Sequence, residues 1–541
     1  MQEGRPSARR LLTRRGWVAA GVILAALVAI LASLITRVTP HVRDAAVNAL
    51  NDRFDSQTEL ATLQVSIFPR PEVSGTGLVI RHQGRRDVPP LITIESFSAS
   101  AGLVGLLWGP LHLHTVDLEG LQIHVPPGGL KGQGMGLSKR DQADATVEPD
   151  PAKVEKAKAR RDRSPIVIDA IRSKAARLEI ATDDPGKLPR VFEIHDLAMD
   201  DFGFDRAASF DAVLTNWKPA GEIHAKGTFG PWNTADPRMT PLGADYTFAN
   251  AKLDTIKGIG GTLSSTGRFH GVLERIRVDG ITDTPDFMVD VAGQPVHLRT
   301  KFTAIVDGTN GNTWLDPVEA TLLDHSRILA RGEVVRSEDV KGRQVKLQVT
   351  IEDARVEEIL RLAIKSTKMP LTGGMKLETS FLLPAGDADV PQRLQLDGAF
   401  AIKQARFTQY NVQQRIDTLS RRGKGNTDDS GPSVVSNLTG RFVMKDGRIR
   451  FHSLTFAVPG SVVQLAGSYT LKSEQLDFDG HLLLDASLHE TMTGYKSILA
   501  RVAQPFFRRK GGGSRLPIRV SGTPDHPAFG LDVKKALTPG N

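Results

Sequence analysis

Period-two alternation of apolar and polar residues, carried in short runs between Gly, Pro, Asp and Asn, governs this chain from about residue 60 onward. The runs include "LATLQVSIFPRPEVSGTGLVIRH", "LHLHTVDLEGLQIHV", "RVFEIHDLAMDDF", "AGEIHAKGTFG", "PVHLRTKFTAIVDG", "RILARGEVV", "QVKLQVTIEDA" and "RIRFHSLTFAV". Successive side chains of a strand point to opposite faces, so such runs predict half-buried antiparallel strands and a mainly β fold. The pattern is clearest near the C-terminus. Val463, Leu465, Gly467, Tyr469 and Leu471 share one face, as do Leu476, Phe478, Gly480, Leu482, Leu484, Ala486 and Leu488, while Asp477, Asp479, His481 and Asp485 point the other way. The apolar face needs a cover, which in a sandwich is a second sheet.

The N-terminus carries a different signal. Arg5, Arg9, Arg10, Arg14 and Arg15 precede 19 uncharged residues, Trp17 to Ile35. At about 1.5 Å per helical residue that run matches a bilayer core of roughly 30 Å. A cleaved signal peptide has a shorter apolar region and a small-x-small cleavage site, which "LASLITR" lacks. Residues 17–35 are therefore expected to be an uncleaved inner-membrane anchor, with 1–16 cytoplasmic and 37–541 outside, in the periplasm of a bacterium. The 69 Lys and Arg against 61 Asp and Glu leave a net charge of +8, much of it N-terminal; with 6% aromatic residues this argues against a nucleic-acid partner. Without cysteine there are no disulfides, thiolate metal sites or cysteine nucleophiles.

Along the chain, 37–125 reads as a first β-region opened by an amphipathic helix with Val42, Ala45, Ala46, Ala49 and Leu50 in a stripe. Residues 126–164 and 421–433, rich in Gly and charge, are expected to be flexible loops; 165–420 and 434–541 form the central and C-terminal β-regions. Further helices are expected at "DARVEEILRLAIKS", with Val356, Ile359, Leu360 and Ala363 in a stripe, at "YNVQQRIDTLSR" and at "SLHETMTGYKSILARVA". In the last, Leu488, Met492, Tyr495, Leu499 and Val502 form one stripe, Pro505 ends the helix, and Phe506 and Phe507 precede Arg508, Arg509 and Lys510. This helix is expected to close one end of the sheet. Glycines recur within the runs, as in "RLQLDGAFAI" and "VQLAGSYTL", and mark either repeated bends of one sheet or plain hairpin turns.

Chemistry-bearing constellations are few. "GIGGTL" at 258–263 has neither a following helix nor Lys-Ser/Thr, so it reads as a turn rather than a phosphate cradle. His112 and His114 share a strand face and could ligate zinc, but the sequence implies no third ligand, so they read as a solvent-facing pair. Asp477, Asp479 and Asp485 look like the wet side of a sheet rather than an acid–base pair. Neither an enzyme activity nor a cofactor is expected.

Residues 453–533, "SLTFAVPGSVVQLAGSYTLKSEQLDFDGHLLLDASLHETMTGYKSILARVAQPFFRRKGGGSRLPIRVSGTPDHPAFGLDV", resemble the C-terminal region of AsmA-like proteins. "SIFPRPEVSGTGLVI", "FSASAGLVGLLWGPLHLHTVDLEGLQIHVPP" and "LRLAIKSTKMPLTGGMKLETSFLLPAG" are similar to other parts of that family, which is related to TamB and YhdP and more distantly to chorein-type lipid-transfer bridges. The resemblance implies an elongated, curved, taco-like β-groove behind a transmembrane helix, moving phospholipid acyl chains toward the outer membrane, with envelope proteins as partners. The groove would be lined at its C-terminal end by Phe456, Val458, Val463, Leu465, Tyr469, Leu471, Phe478, Leu482 and Leu484. Roughly 30 strands at about 4.8 Å would reach about 140 Å. The alternative is an assembly scaffold for outer-membrane proteins whose open sheet edges bind unfolded strands.

Overall fold

The computed structural model describes residues 39–51 (apart from 41, 45 and 49), 57–66, 71–81, 86, 88–102, 111–125, 166–181, 189–202, 206–233, 236–337, 340–426, 431–491, 512–523 and 526–531. The expected anchor, the 126–164 loop and nearly all of the C-terminal helix, including Met492, Tyr495, Leu499, Val502, Phe506 and Phe507, lie outside these residues. Among the described residues no helix is long and apolar enough to cross a membrane. The chain divides into two compact units, 1–215 with 224–243, and 216–223 with 244–541.

The fold is mainly β, as the alternation predicts, with 25 strands among the described residues. The N-terminal unit contains β1 (Gln57–Ser66), β2 (Glu72–Arg81), β3 (Ile92–Ala101), β4 (Leu111–Glu119), β5 (Gln122–Val125), β6 (Ile166–Ile180) and β7 (Arg190–Asp200). β8 (Ala208–Trp217), β9 (Ala220–Phe229) and β10 (Leu242–Lys252) divide between the units. The second unit continues with β11 (Ile259–Gly260), β12 (Thr262–Val272), β13 (Arg275–Val289), β14 (Val296–Val306), β15 (Thr313–Leu322), β16 (Ser326–Arg336), β17 (Arg343–Arg355) and β18 (Leu371–Leu383). It ends with β19 (Gln395–Phe407), β20 (Ser436–Lys445), β21 (Arg448–Val458), β22 (Ser461–Thr470), β23 (Gln475–Leu484), β24 (Ser514–Gly522) and β25 (Pro527–Leu531).

In the N-terminal unit β1, β2, β3 and β4 pair antiparallel in chain order. Gly120, at φ +63°, lets the chain turn between β4 and β5, and both then pair parallel with the long β6. β6 accommodates the offset with Ala175 at φ +54°. One face buries Leu60, Leu63, Val65, Val73, Ala99, Leu113 and Val116, and the helical segment 39–51 lays Val42 on this cluster. Arg43 Nη2 fixes that segment by donating to the Leu60 carbonyl at 2.7 Å.

In the second unit every strand from β12 to β25 pairs antiparallel with the next in the chain. Short helices follow β17 and β19, whose last residues are bulged, and a 3₁₀ turn follows β23. The expected helix at 353–366 holds its form only over Val356–Leu360: Val356 and Leu360 pack on Leu371 and Ile402, whereas Ala363 is exposed and has nothing to cover. The expected helix at 410–421 runs to Gly423 and seats Leu419 on the cluster of Leu484 and Leu516, against which Leu482 also packs. It therefore enters the expected 421–433 loop, whose far side is also tied down, since Asp417 Oδ1 accepts from Val434 N at 2.9 Å. The alternation expected to continue past Leu484 stops there; Ala486 is buried in a bend and Leu488 opens a 3₁₀ turn, Leu488–Thr491.

Buried serines mark these covered strand ends. Ser326, Ser436, Ser461 and Ser514 are at most 2% exposed. Ser436 Oγ donates to the Ala405 carbonyl at 3.1 Å, Ser461 Oγ to Leu419 at 3.0 Å and Ser514 Oγ to Ala486 at 3.2 Å. The Ala405 carbonyl sits at a bulge and the Ala486 carbonyl in a bend, where ladder partners are lost, and the Leu419 carbonyl lies in the last turns of the helix that ends at Gly423; in each place a small hydroxyl fits and satisfies the carbonyl.

Candidate functional site

The registers of the second unit align its side chains into rows that cross the strands. One row holds Gly267, Gly280, Phe302, Val318, Ala330, Val349, Thr379, Gly398, Phe442, Phe451, Gly467, Phe478 and Val520, one residue from each strand β12 to β24. The adjacent row holds Phe269, Val278, Ala304, Leu315, Gly332, Leu347, Phe381, Leu396, Met444, Ile449, Tyr469 and Leu476. Thirteen strands at about 4.8 Å carry the first row roughly 60 Å. Its only hydroxyl is that of Thr379, which is buried and donates to the Asp397 carbonyl at 3.1 Å.

Most of this double row is only half covered. Of its members outside Gly, Ala304, Thr379, Met444 and Phe478 are buried, while Phe302, Val318, Val349, Phe442, Phe451, Leu347, Phe381, Leu396, Ile449 and Tyr469 keep part of their surface exposed. In a closed sandwich the middle of a strand is its most buried part. Here the buried positions gather instead toward the helix-covered ends, at Ile351, Ala354, Leu371, Ile402, Ala405, Val458 and Leu484.

Aromatic rings fill the spaces over glycines. A Cβ at Gly440 would fall 2.8 Å from the Phe400 ring, and one at Gly280 would fall 2.6 Å from the Tyr246 hydroxyl and 3.1 Å from Phe302. Of the two readings the sequence leaves open for such glycines, Gly398, Gly440 and Gly467 are strand-interior positions of close approach, while Gly120 and Gly522 end strands at positive φ. Phe400, Phe442, Phe451 and Phe478 form a chain of tilted ring pairs with centroids 5.7–6.5 Å apart. Tyr246 joins the face on its other flank, 6.3 Å from Phe269; burial pushes its phenol up, offset in part by the hydrogen bond with Ser265 Oγ at 3.0 Å.

The opposite face is wet and charged. Arg331 meets Asp316 at 3.0 Å, Lys376 meets Glu352 at 2.8 Å and Arg519 meets Asp477 at 3.0 Å. Ile281, Trp314 and Leu329 are its large exposed apolar residues.

The structure brings the nine residues expected to line a groove into one neighbourhood. Phe456 pairs with Val463, Val463 with Leu482, Val458 with Ser461, and Tyr469 with Leu476; Leu465 and Phe478 stand opposite Gly480 and Gly467. Leu471 falls just past the end of β22. Phe456, Val463, Leu465, Tyr469, Leu471 and Leu482 are half-buried and present surface, whereas Val458, Phe478 and Leu484 are buried by the chain itself. The 258–263 stretch is a turn only as far as Gly258, since 259–260 form β11 and Thr262 opens β12, and its amides are spent on nearby carboxylates: Gly258 N donates to Asp290 Oδ2 at 3.1 Å and Thr262 N to Asp286 Oδ1 at 2.7 Å. The sequence reading missed the row members before Phe456, where the alternation is broken by bulges such as those at Thr284/Phe287, Leu315/Val318 and Ile351/Ala354. It also missed Asp169, which stands beside His112 and His114.

Comparison with protein families, characterised proteins and solved structures finds no match for this chain.

Proposed function

We propose that the half-covered apolar rows of the second unit form a groove for phospholipid acyl chains, which an inner-membrane anchor at 17–35 presents to the periplasm and which leads toward the outer membrane. The observation that carries this reading is the double row itself: apolar side chains and glycines, interrupted by the hydroxyls of Thr379 and Tyr469 and by no charge, across thirteen strands in one row and twelve in the other, without a second layer of described residues over their middle. Sheltering about 15 methylene groups from water is worth more than 10 kcal/mol, at roughly 0.8 kcal/mol each, so the face can hold a chain without a polar contact. Neighbouring positions are chemically alike, so a bound chain can step from one strand to the next without crossing a charged group. The AsmA-like resemblance of residues 453–533 supplies the membranes at either end, and no reaction is required of any side chain.

Incorporating a photo-crosslinking residue at Leu347, Leu465 or Leu482 in cells should capture phospholipid, identified by mass spectrometry, while the same residue at Glu319 or Asp477 should not. An assembly scaffold that binds unfolded strands by its edges would give captured polypeptide, mainly at β25, and no lipid at the three leucines. That result would replace this reading.

A further inference from the structure

The polar face of the N-terminal unit holds a second constellation. His112 Nε2 lies 2.7 Å from Asp169 Oδ1 and His114 Nδ1 lies 3.0 Å from Asp169 Oδ2, with the imidazole rings 4.8 Å apart. The two histidines stand at i and i+2 on β4, on the face opposite the buried Leu113. Asp169 comes from β6, 57 residues after His112, and is brought level with His114 by the parallel register that pairs Leu113 with Ile168 and Thr115 with Ala170. All three side chains are about half exposed, at 47%, 56% and 47%.

Elsewhere on the sheet a carboxylate meets a single imidazole, as in Asp211 with His224 and Asp283 with His297, both at 2.6 Å. Among the described residues Asp169 is where two imidazoles converge on one carboxylate, and the ligand atoms of the three residues all lie within 4.8 Å of one another.

We propose that His112, His114 and Asp169 form a zinc-binding site. Two imidazole nitrogens and one carboxylate oxygen are the ligand types of a three-ligand zinc site, with a water in the fourth position open to solvent. Tetrahedral ligands at about 2.0–2.2 Å from zinc stand roughly 3.3 Å apart; the two nitrogen–oxygen spacings of 2.7 and 3.0 Å need to open by about half an ångström, and the two imidazole nitrogens, within 4.8 Å of each other, need to close toward the same separation by side-chain rotation. The nitrogen ligands select against calcium and magnesium, which take oxygen. Zinc here joins β4 to β6 across the chain segment 126–165, and a metal that binds the folded chain and not the unfolded one stabilises that pairing.

The test uses the full chain in mild detergent without a polyhistidine tag. Calorimetric titration with Zn²⁺, and the visible absorption of bound Co²⁺, should report one site per chain, and Zn²⁺ should raise the thermal midpoint. His114→Ala and Asp169→Asn, whose side chains are half exposed, should keep the far-ultraviolet circular dichroism of the parent and lose both the site and the Zn²⁺-dependent midpoint shift. The absence of saturable binding in the parent, or binding and midpoint shift unchanged in the two variants, would overturn the proposal and leave a hydrogen-bonded His–Asp–His cluster.

Discussion

Glu358 Oε2 accepts hydrogen bonds from both the main-chain N–H and the hydroxyl of Ser326, 32 residues earlier, at 3.2 and 2.7 Å. Glu358 is 6% exposed and Ser326 is fully buried, so this pair fixes the short helix Val356–Leu360 over the strand ends of β15 and β16. The other carboxylate oxygen faces His325 Nδ1 at 3.3 Å and Arg355 Nη1 at 3.9 Å.

Glu358→Ala strands two buried donors of Ser326 and is expected to cost about 2–3 kcal/mol, whereas Glu358→Gln keeps an acceptor and costs less. Urea unfolding of the two variants measures the difference; equal stability of parent and Glu358→Ala would contradict the assigned role.

Gly440→Val is expected to destabilise the sheet by about 1–3 kcal/mol, because the new side chain must displace the Phe400 ring and with it the Phe442 and Phe451 contacts. Phe400→Ala in the same background should return part of that loss, a coupling that a double-mutant cycle reads directly.

Leu347→Asp places a charge in the middle of the second apolar row, between Gly332 and Phe381. Because Leu347 is only half-buried, the fold should survive, while lipid recovered with the purified protein should fall sharply. Unchanged lipid content in a folded Leu347→Asp protein would count against a continuous lane.

Acid should weaken the fold through exposed carboxylates of the polar face. Hydrogen bonds from His224, Thr303 and His297 hold the carboxyls of Asp211, Asp279 and Asp283 below the usual carboxylate range. Below about pH 4 the unfolded chain then binds more protons than the folded one. Stability is complete above that pH and declines as pH falls through the lowered values. Urea midpoints at pH 5 and pH 3 should differ more for the parent than for Asp283→Asn, by an amount that solvent screening keeps small.

How much of this was legible in the sequence depends on the range of the interaction that set it. Leu476, Phe478, Leu482 and Leu484 against Asp477 and Asp479 is a nearest-neighbour pattern, and the structure sorts those residues to two faces as the alternation predicts. A bulge defeats that rule: Phe451 and Leu454 differ in parity yet face the same side, because one residue between them has no partner on β22. The helix from Val356 stops early for a reason that lies outside it, where the underlying Leu371 and Ile402 end. Asp169 was the least legible, since only the parallel pairing of β4 with β6 brings it to His112 and His114, and no local spacing encodes that register.

The strand order of the second unit bears on how the protein is made. From β13 to β25 each strand hydrogen-bonds to the one synthesised just before it, so contacts are local in sequence despite the length of the sheet. A chain delivered N-terminus first can add strands one at a time onto an existing template, and never has to hold an early segment unpaired while waiting for a distant one. The exposed position throughout is the newest strand, whose free backbone is open to foreign strands until its successor arrives. In this architecture the hazard of misassembly travels with the growing end and, among the described strands, comes to rest at β25.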